Sequence, residues 1–104
     1  MDKETVKQKI KEAVCQVAQD AKVILFGSRA RGTNSAESDW DILVLLNQPL
    51  VSFKEEQTIR HKLFDLELEV EEPFSTFVYS QFDWNSKLSV TPFYKNVTRD
   101  GILL

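Results

Sequence analysis

The sequence predicts an α/β fold: a small mixed β-sheet of three to four strands with helices packed against it. Three observations carry that prediction. Val6, Ile10, Ala13, Val14, Val17 and Ala21 recur at spacings of three and four, which is one face of a helix over Lys3 to Ala21. Two apolar runs follow, Lys22 to Phe26 and Asp41 to Leu46. A second helical period through Ile59, Leu63, Leu66 and Val70 then gives way to Phe74 to Tyr79, an aromatic-rich run bounded by Pro73.

Each element has its own local reason. The first helix carries Glu4 early, where the helix dipole prefers an acid, and charged residues on its outer side. The first strand is β-branched or aromatic at Val23, Ile24 and Phe26. Gly27-Ser28 reads as a sharp turn, and Arg29 to Gly32 is long enough for only one helical turn. Thr33 to Ser38 is polar and loop-like. The second strand is apolar throughout from Ile42 to Leu46, as a strand covered on both faces requires, and Asn47-Gln48-Pro49 ends it. Ser52 with Glu55 three residues later forms a capping-box pattern for the second long helix.

Phe64 to Glu71 can be read in two ways, because it also alternates as a strand would. The helix is expected to run on to about Val70, with the strand at Phe74 to Tyr79. The alternative ends the helix near Phe64 and makes Leu66 to Glu71 a strand. Ser80 to Trp84 is expected to turn, with Asp83 capping a short helix over Trp84 to Leu88. Pro92 to Leu104 reads as a final short helix stopped by Gly101, with Ile102-Leu103-Leu104 packing back or extending.

Composition narrows the classes of function. The chain of 104 residues reads as one domain spanning residues 1–104, with 42% apolar and 28% charged residues, an ordinary globular balance. A net charge of −3 gives no overall basic field for long nucleic acid. Cys15 is the single cysteine, so no disulfide can form within the chain, which fits a reducing compartment. No signal-peptide pattern precedes the first helix, and the apolar runs are too short to span a membrane. A cytoplasmic location is the expectation. His61 has no cysteine or histidine partner at ligand spacing and reads as a helix-surface residue. The acidic run Asp65 to Glu72 reads as a solvated helix face.

The chemistry is concentrated between Val23 and Leu46. Residues two apart on a strand point the same way, so Asp39 and Asp41 project together while Trp40 turns to the core. Paired carboxylates raise each other's pKa unless a cation lies between them, and an oxygen-only ligand set suits Mg²⁺ or Mn²⁺. Gly27 lets the backbone approach a ligand closely, and Ser28 with the N–H groups that follow it can hold a phosphate. Arg29 and Arg31 add positive charge there and join Gly27 and Ser28 as candidate phosphate-binding residues. A phosphate cradle beside paired carboxylates points to metal-assisted nucleotide chemistry.

Gly27-Ser28-Arg29-Ala30-Arg31-Gly32 followed by Ser38-Asp39-Trp40-Asp41 resembles the nucleotidyltransferase superfamily related to DNA polymerase β. It is most similar in pattern to the minimal nucleotidyltransferases of the antitoxin type. The resemblance implies a polymerase β palm-like fold and a bound ATP or other nucleoside triphosphate. It also implies a triphosphate at Gly27 and Ser28, divalent ions on Asp39 and Asp41, and a two-metal transfer of a nucleotidyl group, most simply AMP. Active members add a third carboxylate from a later central strand. Phe74 to Tyr79 offers only Ser75 or Thr76 there, whereas the alternative strand would bring Glu67, Glu69 or Glu71 on one face, Glu69 and Glu71 being the candidates for the third ligand. Relatives of this size often pair with a small helical HEPN-type toxin protein, which they neutralise by binding it or by adding AMP.

Three functions therefore stand: an adenylyltransferase acting on such a partner, a binding module that occludes the partner without transfer, and a small-molecule transferase of the antibiotic-modifying kind. The last needs a pocket that a homo-oligomer would have to complete.

Overall fold

A computed structural model describes the whole chain, Met1–Leu104. In chain order the elements are α1 (Lys3–Cys15), β1 (Lys22–Phe26), α2 (Gly27–Arg31), β2 (Trp40–Leu46), α3 (Phe53–Val70), β3 (Phe74–Ser80), α4 (Gln81–Asn85), α5 (Pro92–Asp100) and β4 (Ile102–Leu103). The sheet is mixed, in the order β3-β2-β1-β4. β1 runs antiparallel to both β2 and β4, while β2 and β3 are parallel. The long α3 provides the crossover that parallel pairing needs. This is the expected α/β architecture, with four strands.

The sheet has two unlike faces. On the back, Val6, Ile10 and Val14 of α1 and Ile59, Leu63 and Leu66 of α3 pack onto Val23, Leu25, Trp40, Ile42, Val44 and Leu46. On the front, α4 and α5 place Trp84 and Val97 over Leu43 and Leu45. Phe26, Phe77 and Phe93 join them, with neighbouring ring centroids 5.2 to 5.8 Å apart in tilted geometry. Such aromatic pairs add modestly to the area they bury.

The expected long helix is confirmed: α3 continues to Val70, so the alternative strand at Leu66 to Glu71 does not form. Its capping box is half made, with the Ser52 side chain accepting from the Glu55 N–H at 3.1 Å. Glu71 caps the other end with φ of 61°. Pro73 then forces an extended path into β3.

Two boundaries differ from the sequence reading, and a third, the tail, takes one of its two expected forms. α1 stops at Cys15 rather than Ala21, and Ala18 and Ala21 carry turn hydrogen bonds back to Val14 and Ala18. The apolar period persists through this turn because Val17, Ala18 and Ala21 still pack on the back core. The short helix lies at Gln81–Asn85, not Trp84 to Leu88, and its cap is Ser80, whose side chain accepts from the Asp83 N–H at 3.0 Å. The tail extends: Gly101 ends α5 in an extended conformation, and Ile102 and Leu103 pair with Leu25 and Ile24. A side chain at Gly101 would overlap the Val97 carbonyl and Ile24, so glycine is what lets β4 reach β1. No helix is long and apolar enough to cross a membrane.

Candidate functional site

β2 sets the site. Trp40 points into the back core at 1% exposure, which commits Asp39 and Asp41 to the front, at the open rim of the sheet. Phe26 pairs with Asp41 across the β1–β2 ladder, so the residue after Phe26 meets the Asp41 side chain. That residue is Gly27, with φ of 74°. A Cβ there would overlap the Asp41 carboxylate. Glycine is thus required twice, for the left-handed turn and for the close approach. α2 follows at once, beginning with Gly27 and Ser28 and closed by Gly32 at φ of 77°.

The two carboxylates differ in surroundings. Asp39 is exposed, and its Oδ2 accepts a hydrogen bond of 2.8 Å from the Ser75 hydroxyl. Asp41 is half-buried, and its carboxyl is held above the usual aspartate range. Burial is the largest cause and repulsion from Asp39 the second, while Arg31 pulls the other way. Arg31 is half-exposed and is held by Asp100 of α5, Nη1 to Oδ2 at 3.6 Å. Asp100 also binds Arg99 through two hydrogen bonds of 3.0 and 3.1 Å, and this pairing keeps its carboxyl below the usual range.

Ser75 pairs in parallel register with Asp41 and so faces the same side, whereas Thr76 pairs with Ile42 and belongs to the back of the sheet. The position from which a neighbouring strand would offer a third carboxylate therefore carries a hydroxyl. Glu69 and Glu71 do not join the pair. Glu69 lies beside Lys9 of α1 at 3.8 Å, and Glu71 is the exposed cap of α3. No group of three or more acidic, histidine or cysteine side chains is placed to hold a metal ion.

Gly27, Ser28, Asp39, Asp41 and Arg31 are brought to one rim. Arg29 is not. Its side chain turns under the loop and lies over the Trp40 ring, 4.6 Å from guanidinium carbon to centroid. Ser75 and Asp100 enlarge the set. Of these only Ser75 was singled out at the sequence level for this rim. Asp100 gave no pattern signal, since its pairing with Arg31 depends on how α5 folds back.

Comparison with known proteins bears on this geometry. The family model described as a nucleotidyltransferase domain matches residues 7–97. The chain belongs to the nucleotidyltransferase domain family. No curated protein matches it in sequence. A solved structure described as a crystal structure of a toxin-antitoxin with AMP-PNP is similar to this nucleotidyltransferase domain. The TM-score is 0.58 at 19% identity, over 89% of this chain and 70% of that one. At that identity the likeness is one of fold.

The donor set of the nucleotidyltransferase rim fits a hard divalent cation. Two aspartate carboxylates share one face, and Asp41 is already penalised by burial and by Asp39, a condition that a cation would relieve. The Gly27 turn also keeps the space beside Asp41 clear of side-chain atoms of its own.

Proposed function

We propose that this chain, as a single nucleotidyltransferase domain over residues 1–104, transfers AMP from ATP to an acceptor on a partner protein. The partner class that best suits it is a small helical toxin of the HEPN type, with the chain as antitoxin. The observation that carries this reading is the Asp39–Asp41 pair on one face, packed against the Gly27 turn in a chain of this family.

In this proposal Asp39 and Asp41 hold Mg²⁺ or Mn²⁺, which when bound would neutralise triphosphate charge and favour departure of pyrophosphate. Gly27 and Ser28 receive the triphosphate, and Arg31, oriented by Asp100, faces it with a half-exposed guanidinium. An acceptor oxygen forms a bond to the α-phosphorus as the bond to the departing pyrophosphate breaks. Ser75 is a poor base at neutral pH, so the acceptor's proton has no third carboxylate to receive it. It leaves to solvent or to a group on the partner.

That same Ser75 favours a second reading, in which nucleotide and metal are bound weakly and the partner is neutralised by complex formation alone. Both readings are separated by one experiment. The product of the neighbouring gene is incubated with it, ATP and Mg²⁺, and the intact mass of that product is measured. A gain of AMP units that an Asp39→Asn, Asp41→Asn double variant abolishes supports transfer. No gain with a stable complex supports the binding module. No gain and no complex directs attention to small-molecule acceptors.

A further inference from the structure

Arg29 is the one buried charge the proposed chemistry does not use. It is 6% exposed. A buried cation is strongly disfavoured unless its charge and donors are met. Its Nε donates to the Ser38 carbonyl at 3.0 Å, its plane lies over Trp40, and its Nη2 reaches Glu72 at 3.9 Å without a hydrogen bond. Glu72 in turn accepts from the Trp40 indole Nε1 at 2.7 Å. Trp40 N also donates to the Pro73 carbonyl at 2.8 Å.

These contacts join the segments that carry the rim. Arg29 follows Ser28 in α2. Ser38 and Trp40 flank Asp39, and Trp40 precedes Asp41. Glu72 and Pro73 lead into β3, three and two residues before Ser75. The Ser38 carbonyl that Arg29 grips belongs to the peptide bond preceding Asp39, so a shift of the guanidinium moves the start of β2 against the Gly27 turn. Ser38 is also fixed from its other side, since its hydroxyl accepts from the Ser35 N–H at 3.0 Å.

We infer that Arg29, Trp40 and Glu72 form a positioning bridge behind the strand, which sets the spacing of Asp39 and Asp41 relative to the Gly27-Ser28 turn and thereby the affinity of the rim for a divalent cation. Arg29 then acts through backbone and ring contacts, with no phosphate contact of its own. The inference rests on the metal reading of the rim. Outer contacts that orient metal ligands typically change metal affinity by about 10- to 100-fold when removed.

The test uses Mn²⁺ alone as probe, with binding read from paramagnetic broadening of the backbone amides of Asp39 and Asp41 and from titration by electron paramagnetic resonance. Arg29→Lys keeps the charge but loses the planar fork. Trp40→Phe keeps an aromatic face but loses the indole bond to Glu72. Both are compared with wild type for fold by amide dispersion and circular dichroism. The expected result is a folded Arg29→Lys with Mn²⁺ affinity weakened about 10-fold or more, and a smaller weakening in Trp40→Phe. Mn²⁺ affinity unchanged in both folded variants overturns the bridge and leaves Arg29 with a purely structural role. Unchanged Mn²⁺ affinity with weakened binding of Mg²⁺·ATP also overturns it, in favour of a direct phosphate contact. Wild type that broadens no rim amide overturns the metal reading itself. That failure appears before any variant is made.

Discussion

β2 presents two series of side chains with opposite demands. On the back, Trp40, Ile42, Val44 and Leu46 are at most 1% exposed under α1 and α3. On the front, Leu43 and Leu45 are equally buried beneath α4 and α5, but Asp39 and Asp41 replace apolar residues at the rim. One strand thus anchors itself by a continuous apolar face and by the lower half of the other. The two rim positions carry like charges instead, and Asp41 is penalised there by burial and by Asp39. Stability and chemistry are separated residue by residue along a single strand.

The largest expected effect tests the anchoring face. Ile42→Ala should destabilise by about 2–5 kcal/mol, the usual range for deleting a buried aliphatic side chain. Asp39→Asn should stay within about 0.5 kcal/mol, as surface substitutions do. Urea denaturation of both measures the contrast. Equal losses would mean that the rim is part of the folding scaffold and that the separation fails.

Gly27→Ala comes next, because it strikes the boundary between the two series. The left-handed φ of 74° disfavours any L side chain, and the new Cβ must displace Asp41. Backbone strain of this kind is worth about 1–3 kcal/mol. Loss of Mn²⁺ broadening at the Asp41 amide should exceed what the change in stability alone would produce. A variant that keeps wild-type broadening would show that the turn and the carboxylate are independent.

How much of this was legible in the sequence follows from the same division. The periodicities that specify a buried face are long-range and redundant, so α1, β1, β2 and α3 could be read from Val6 to Val70, and β3 from the aromatic run after Pro73, without any pairing information. The period-two argument also placed Asp39 and Asp41 together and Trp40 opposite. The charge partners were not legible. Arg29 carried the same formal charge as Arg31 in the motif, yet one is enclosed by Trp40 and Glu72 and the other faces Asp100 at the rim. The one available hint was Trp40 itself, since a buried indole N–H seeks an acceptor. Glu72 sat at the end of an acidic run that otherwise reads as solvated, so its inward turn was hidden. The end of α1 and the position of α4 were missed because apolar spacing continues across a turn when the turn residues still face the core.

Protonation offers a finer test of the rim. Asp41 is raised in the folded chain, chiefly by burial and then by Asp39, so the folded state holds its proton to higher pH than the unfolded state. Between the two pKa values the folded state binds more protons, and stability falls as pH rises through that window, just above the ordinary aspartate range. Asp41→Asn removes the fall. Thermal melts should show the variant gaining on wild type from pH 4 to pH 7 in metal-free buffer, with saturating Mg²⁺ narrowing the gap by stabilising the charged form. A gap independent of both pH and Mg²⁺ would place Asp41's cost in packing and not in charge.

The smallest expected effect concerns Ser75, where the front series crosses to β3. Ser75→Ala removes one hydrogen bond to an exposed carboxylate and should cost about 0.5 kcal/mol, the low end for hydrogen bonds in general, because water replaces the hydroxyl at so open a site. Ser75→Asp is the more informative substitution because the register already aims that position at Asp41. A third carboxylate there adds repulsion, so the metal-free variant should melt below wild type, while added Mn²⁺ should stabilise it more than it stabilises wild type. That inversion would show a rim geometrically ready for three acids but carrying two. If Mn²⁺ fails to recover the lost stability, the third position lies out of reach of the ion. Ser75 would then be a spacer holding Asp39 and not a substitute for a missing ligand.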